Sequence, residues 1–428
     1  MKLALLILVA LVLLPFTFAA AQEDTSTWAG NYFVNGIDAL GVPYEAGLEI
    51  LDAGGWTQLL WSYPGAAVAE TGVGLPLNDT QMAVSYDITC VIQVFNIGEN
   101  GALSGPWAQP FAGLGEEAAI PTNPGETIGG TYDVLGTNPD ATNYEGTLEI
   151  IPISTDLYTL VWTLGALTYE GAGMLVGDQL IAAADTIPEI PCGVGLMTWT
   201  EEGTINGTWW QEGTPDVYSD TATPIVLADS YTVNGTSADG TTYTNTLTFS
   251  GDAFRYIVSS DDQPIGVGVL RGNVLNIAVG GEQCAVLNRA LLADGRLFTR
   301  NATQVNETIG TTLQTPNGET EGYLGTFDLI GSAATGANTQ GSTTISGGEN
   351  GIYHGAGEAT RSTGETVNVE GIFILTNGMI AGVYAPGGDV TPCGVLAGVI
   401  GADGVITMPY IYYGGTEIEG TDIATPDM

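Results

Sequence analysis

Residues 90–103 read CVIQVFNIGENGAL, and this stretch decides the fold because its pattern occurs four times along the chain. Each occurrence has a cysteine, a β-branched aliphatic residue two positions later, a glycine eleven positions after the cysteine, and an aliphatic residue two positions beyond that glycine. The four instances are Cys90/Ile92/Gly101/Leu103, Cys192/Val194/Gly203/Ile205, Cys284/Val286/Gly295/Leu297 and Cys393/Val395/Gly404/Ile406. The chain is therefore built from four copies of one unit.

A second pattern opens each copy with an aromatic residue, an aliphatic residue and a glycine at alternate positions. Its instances are Tyr32/Val34/Gly36, Tyr132/Val134/Gly136, Tyr231/Val233/Gly235 and Phe327/Leu329/Gly331. A period of roughly one hundred residues is too long for a solenoid repeat and fits a small domain. The predicted domains are residues 27–115, 126–215, 227–303 and 321–416, joined by acidic connectors rich in Gly, Pro and Thr.

Side chains within a copy alternate with the period of a β-strand. Tyr158, Leu160 and Trp162 alternate with polar or smaller residues, and turn dipeptides such as Asp294-Gly295 and Asp403-Gly404 separate the strands. The pattern predicts six to eight antiparallel strands in each copy. We expect an all-β protein of four tandem small meander barrels, because closing a meander removes exposed sheet edges.

The end of a copy carries a Gly-x-Trp element, found as Gly105-Pro106-Trp107 and as Gly207-Thr208-Trp209-Trp210. Together with the meander pattern, this element resembles the small up-and-down barrels of the lipocalin and avidin type, although lipocalins carry it on the first strand. The second copy, from Gly130 to Trp209, is also similar to repeats of uncharacterised secreted bacterial proteins. The lipocalin and avidin resemblance implies barrels of a ligand-binding type, and neither resemblance implies a catalytic activity.

The first 21 residues have the features of a secretory signal peptide. Lys2 provides the charge, residues 3–18 are mostly apolar, and Ala19, Ala20 and Ala21 form a small-residue cleavage site. The apolar segment is short for a membrane span, and Pro15 interrupts it. We expect a secreted protein, extracellular or at the cell surface, with no membrane insertion.

The charge of the chain limits its partners. There are 48 acidic residues against seven basic ones, and the formal net charge is −41. Such a surface repels nucleic acid and anionic membranes, whose binding needs clustered Lys and Arg. It attracts loosely bound cations, with calcium as one candidate. No Asp-x-Asp-x-Asp-Gly loop that would form a dedicated calcium site is present.

The sequence is poor in catalytic groups. His354 is the one histidine, and no cofactor motif or metal-ligand cluster accompanies it. Paired carboxylates could support glycosidase chemistry, and the candidates on predicted strands are Glu145, Glu149, Glu170 and Glu370, the last two at equivalent positions of two copies. A carboxylate-dependent hydrolase is therefore a less favoured interpretation. We expect a protein without catalysis, cofactor or structural metal.

Each copy has one cysteine, always at the same position. Equivalent points of neighbouring barrels lie about a domain diameter apart, whereas a disulfide needs Cα atoms within about 7 Å. The favoured expectation is four buried free thiols on an apolar inward face. Disulfides remain the alternative, which would require the domains to pair about a two-fold axis.

The tryptophans are the best candidates for a contact site. All eight lie in the first two copies, where most are expected to fill barrel interiors. Trp209 and Trp210 are adjacent, so one of them must face outward and is the predicted ligand-binding residue. The favoured function is adhesion to a glycan or to a matrix or cell-surface component, because tandem copies raise avidity. The alternative is a carrier that holds small apolar ligands inside the barrels.

Overall fold

The structure, a computed structural model, describes residues 28–38, 41–123, 128–186, 192–211, 213–214, 216–236, 239–306, 309–332, 337–386 and 393–427. The predicted signal peptide lies outside these ranges. The described ranges hold 32 strands in four closed eight-stranded antiparallel barrels, with two short 3-10 turns at Glu99–Gly101 and Glu349–Gly351. The predicted all-β fold with four barrels is confirmed.

Each copy of the repeat supplies eight strands. The first copy supplies β1 Gly30–Ile37, β2 Pro43–Asp52, β3 Thr57–Ser62, β4 Glu70–Asn78, β5 Gln81–Tyr86, β6 Cys90–Ile97, β7 Leu103–Gln109 and β8 Gly113–Pro121. The second copy supplies β9 Gly130–Thr137, β10 Asn143–Pro152, β11 Leu157–Leu164, β12 Leu167–Val176, β13 Gln179–Asp185, β14 Gly193–Trp199, β15 Ile205–Gln211 and β16 Tyr218–Pro224.

The last two copies repeat this order. The third copy supplies β17 Ser230–Thr236, β18 Thr242–Gly251, β19 Arg255–Ser260, β20 Gln263–Arg271, β21 Val274–Val279, β22 Ala285–Leu291, β23 Leu297–Ala302 and β24 Gly310–Pro316. The fourth copy supplies β25 Gly325–Ser332, β26 Asn338–Gly347, β27 Ile352–Arg361, β28 Thr366–Thr376, β29 Met379–Pro386, β30 Gly394–Ile400, β31 Ile406–Tyr412 and β32 Gly420–Pro426.

The final strands of the first three copies lie wholly or partly in segments predicted as connectors, and the final strand of the fourth copy lies beyond its predicted end. β8, β16, β24 and β32 extend past the ends predicted at residues 115, 215, 303 and 416. β16 and β32 have the acidic and threonine residues of an exposed linker, but alternate residues such as Asp220 and Ala222 are buried. Each of these strands ends on a proline, which the last position of a strand tolerates.

The barrels do not coincide with the copies. Copies one and two exchange strands with each other, and so do copies three and four. Barrel I consists of β1–β5 and β14–β16, and barrel II consists of β6–β13. Barrel III consists of β17–β21 and β30–β32, and barrel IV consists of β22–β29. The first five strands of one copy therefore close with the last three strands of its neighbour, and the predicted one-copy barrels are corrected in this respect.

The exchange occurs between the fifth and sixth strands. Tyr86 ends β5 and Cys90 begins β6, and the chain passes over these few residues into the neighbouring barrel. The vacated place beside β5 is taken by β14, with Val84 opposite Gly195. β6 pairs instead with β13, with Val94 opposite Ile181. β21 with β30 and β22 with β29 repeat this arrangement in the second pair.

Four apolar clusters fill the barrel interiors, and further clusters lie between barrels. The cluster between barrels I and II includes Ile92, Val194 and Trp210, and its counterpart between barrels III and IV includes Val286 and Val395. The apolar face that carries the cysteines is therefore the outer face of each barrel, covered by the partner barrel. It is not the inward face that the sequence suggested.

The prediction of four free thiols is wrong. Cys90 is bonded to Cys192 with Cα atoms 5.8 Å apart, and Cys284 is bonded to Cys393 with Cα atoms 5.6 Å apart. Strand exchange is the reason, because the sixth strands of both copies in a pair then begin at the interface between the two barrels. Equivalent cysteines then meet, where separate barrels would hold them a domain diameter apart.

A buried ion triad joins the two barrel pairs. Glu49 on β2 accepts hydrogen bonds from Arg271 Nε at 2.9 Å and from Arg300 Nη1 at 2.6 Å. Glu49 and Arg271 are fully buried. The triad links barrel I to barrels III and IV, so it holds the two barrel pairs together.

No helix among the described residues is long and apolar enough to cross a membrane.

Candidate functional site: a pocket in barrel III

Trp209 and Trp210 lie on opposite sides of β15, as alternation requires. Trp210 faces out of barrel I, but barrel II covers it, so only 2% of its surface is exposed. Its Nε1 donates to the carbonyl oxygen of Thr214. Trp209 faces the interior side and is half-buried, with ring centroids 4.8 Å from Tyr218 and 6.0 Å from Tyr86. The outward tryptophan is therefore not a free surface residue.

A pocket of about 960 Å³ occupies one end of barrel III. Its walls are apolar side chains of the barrel interior, and its rim is formed by loops at the ends of the strands. The apolar lining includes Leu247, Val258, Ile277, Val279 and Leu396. Gly280 and Gly281 lie on the rim with φ of +121° and +108°, where the chain leaves barrel III for barrel IV.

The pocket exists because barrel III lacks a large side chain that barrels I and II have. Trp61 in barrel I and Trp162 in barrel II each lie opposite a leucine of the second strand. Ser260 occupies this place in barrel III, opposite Leu247. The tryptophans are 1% and 5% exposed and belong to the interior clusters of their barrels. A serine leaves that volume open.

The opposite end of barrel III is closed by aromatic packing. Phe249 makes edge-to-face contacts with Tyr231 at 5.3 Å and with Tyr256 at 6.2 Å between centroids. Such pairs add stability beyond the burial of their area. These rings form a rigid floor, so the pocket opens at the loop end.

Polar groups near the rim give the pocket its chemistry. The Tyr243 hydroxyl donates to Asp422, and the Asn245 side-chain amide donates to Ser260 Oγ at 3.1 Å. Asn245 Oδ1 is buried and accepts no hydrogen bond from the protein. Burial raises the pKa of Asp422, and Glu419 also lines the pocket. The polar atoms that remain to bind a ligand are therefore mainly hydrogen-bond acceptors.

The acid–tyrosine pair of barrel III recurs in two other barrels. The Tyr44 hydroxyl lies 3.3 Å from Asp220 in barrel I, and the Tyr144 hydroxyl lies 2.7 Å from Glu117 in barrel II. Burial raises the pKa of both acids, to about 6 for Asp220, while the tyrosine hydrogen bonds oppose the increase. Each pair sits inside the same end of its barrel.

The repeated glycine of the first strand makes room for this tyrosine. A Cβ on Gly36, Gly136 or Gly235 would lie 2.0 to 2.6 Å from the tyrosine ring. The sequence held a signal for the pair, since the tyrosine follows this glycine by eight residues and the acid precedes the strand-ending proline by four. The matching positions in barrel IV are Thr339 and Thr312.

The described residues contain no group of three or more His, Cys, Asp or Glu side chains placed to hold a metal ion. No known protein-family model matches the chain, and no curated protein is significantly similar to it.

Proposed function

We propose that the protein is a secreted, non-enzymatic binding protein that carries a small ligand inside barrel III. The pocket volume of about 960 Å³ is the observation that carries this proposal, because it falls within the range of small-molecule sites. The resemblance to lipocalin and avidin barrels points the same way. The two disulfides suit an oxidising extracellular compartment.

The lining favours a ligand with an apolar body and a hydrogen-bond donor or a positive charge at one end. The body would contact the interior side chains, and the donor would face Asp422, Glu419 and Asn245 Oδ1 near the rim. The net charge of −41 favours approach of cations and disfavours anions. We therefore propose long-chain amines or alcohols over fatty carboxylates as the ligand class.

Adhesion through an exposed tryptophan remains a prediction with less support. Trp210 is covered by barrel II, and Trp209 is packed between two tyrosines. A glycan or matrix partner would need another surface. The ligand pocket has the more specific structural support.

The proposal is tested with the neutral fluorescent probe N-phenyl-1-naphthylamine. The wild-type protein should bind it with increased fluorescence. Ser260→Trp restores the side chain found in barrels I and II and should weaken probe binding at least tenfold. Ser259→Trp places the same residue on the opposite face of β19 and should leave binding unchanged.

Competition tests the ligand class. Dodecylamine and dodecanol should displace the bound probe at lower concentration than dodecanoate. Displacement by dodecanoate at the lowest concentration would refute the preference for donors and cations. Equal probe binding by the wild type and Ser260→Trp, with both variants folded by circular dichroism, would refute the pocket as the site.

A further inference from the structure

Barrel IV has a buried arginine in its interior. Arg289 lies five residues after Cys284, and the corresponding residues are Phe95 in barrel II and Met197 in barrel I. Those two residues belong to the apolar interiors of their barrels. Arg289 is 4% exposed. A cation therefore replaces an apolar side chain at the centre of one barrel.

The Arg289 guanidinium has no carboxylate partner among the described residues. Its Cζ lies 4.9 Å from the centroid of the Phe373 ring, and its Nε and Nη1 donate to no protein atom. Burial lowers its pKa to about 10, so it stays protonated at neutral pH. Arg271 and Arg300, by contrast, share Glu49. An isolated buried charge is strongly unfavourable without a counter-charge.

Further polar groups without a protein partner face the same interior. Thr299 lies opposite Arg289 on the neighbouring strand, and Thr312 lies opposite Thr299 on the next. Directly opposed residues share a face of the sheet. The Oγ1 atoms of both threonines are buried and make no hydrogen bond with the protein.

The charge inside barrel IV is thus the reverse of that in the other barrels. Thr312 occupies the position of Asp220, Glu117 and Asp422, so the interior acid is absent where the interior arginine is present. Gly357 lies opposite Thr343 as Trp61 lies opposite Leu48, so a glycine of barrel IV, with the backbone of the neighbouring strand against it, replaces the tryptophan of barrel I.

We propose that the interior of barrel IV is a binding site for a small monovalent oxyanion, with a planar carboxylate as the preferred group. Arg289 supplies the positive charge and two N–H donors, and the hydroxyls of Thr299 and Thr312 supply further donors. A charge-assisted hydrogen bond from guanidinium to carboxylate is the strongest neutralisation open to this cation. The site is separate from the pocket of barrel III and shares no residue with it.

The proposal is tested by NMR of the arginine Nε–H groups, with sodium acetate as the probe at constant ionic strength. The mature chain has few arginines, so the Arg289 signal can be assigned through its loss in Arg289→Met. Acetate should shift this one signal with a saturating curve, and sulfate should shift it less. Arg289→Met should weaken acetate binding measured by calorimetry at least tenfold.

Arg296→Met is the matched control, because Arg296 is a partly exposed residue paired with Asp294. This variant should bind acetate like the wild type. Two outcomes would overturn the proposal: no shift of the Arg289 signal with any anion, or parallel unsaturating shifts of all the arginine signals. The anion titration itself uses the wild-type protein, so a single arginine signal that saturates with acetate supports the proposal, and Arg289→Met, checked for folding by circular dichroism, serves to assign that signal.

Discussion

Removing the Cys90–Cys192 disulfide should destabilise barrels I and II strongly. The bond spans a sequence separation of 102 residues and encloses the whole of barrel II. In the chain-entropy account, a closed loop of this length stabilises the folded state by about 4.7 kcal/mol relative to the open chain. We expect Cys90→Ala/Cys192→Ala to lower the free energy of unfolding of this barrel pair by about 4–5 kcal/mol.

Tryptophan fluorescence in guanidinium chloride is the assay, because all eight tryptophans lie between Trp28 and Trp210. They report on barrels I and II alone, whereas far-ultraviolet circular dichroism reports on all four barrels. Cys284→Ala/Cys393→Ala is the matched control, since it opens a loop of similar length in the other pair. It should shift the dichroism transition more than the fluorescence transition. A fluorescence transition that moves by less than 1 kcal/mol in Cys90→Ala/Cys192→Ala would contradict this reasoning.

Three further changes have expected outcomes from the same structure. Burial raises the pKa of Asp220 to about 6, above the value of about 3.9 in an unfolded chain, so stability falls as pH rises through this window. Asp220→Asn should therefore stabilise the protein by about 3 kcal/mol at pH 8 and not at pH 4, measured by urea unfolding at both values. Glu49→Gln leaves two buried arginines without their counter-charge and should cost about 3–5 kcal/mol, whereas Glu45→Gln, at an exposed position on the same strand, should change stability little. Trp210→Ala removes a ring from the interface of barrels I and II and should cost about 3–5 kcal/mol in the fluorescence assay.

The number and type of barrels followed from the sequence because local patterns encode them. Alternation, turn dipeptides and the spacing from Cys90 to Gly101 all act within one copy. Strand exchange could not be predicted from these local patterns. β6 and β14 carry the same pattern, so either can lie beside β5 with the same residues buried. The choice depends on the path of the chain between Tyr86 and Cys90.

The error on the cysteines followed from the same cause. The sequence predicts that their apolar face points into a barrel. When barrels pack in pairs, however, the outer face of each barrel is also covered where it meets its partner, and Cys90 lies on this outer face. The pocket could not be predicted from the sequence either. Ser260 is seen to replace a tryptophan of barrels I and II only when its pairing with Leu247 is known. The sequence predicts that one of Trp209 and Trp210 faces out of its barrel, without indicating which one. In the structure it is Trp210, and nothing in the sequence indicates what covers it.

A crystal structure of the protein with N-phenyl-1-naphthylamine would show where the probe binds. We expect one probe molecule inside barrel III, with its rings against Val258 and Ile277 and its amine towards the Tyr243–Asp422 end. Barrel I, filled by Trp61, should hold none. Probe density beside Trp209, or density confined to the outer surface of the barrels, would contradict the claim that this protein carries its ligand inside barrel III.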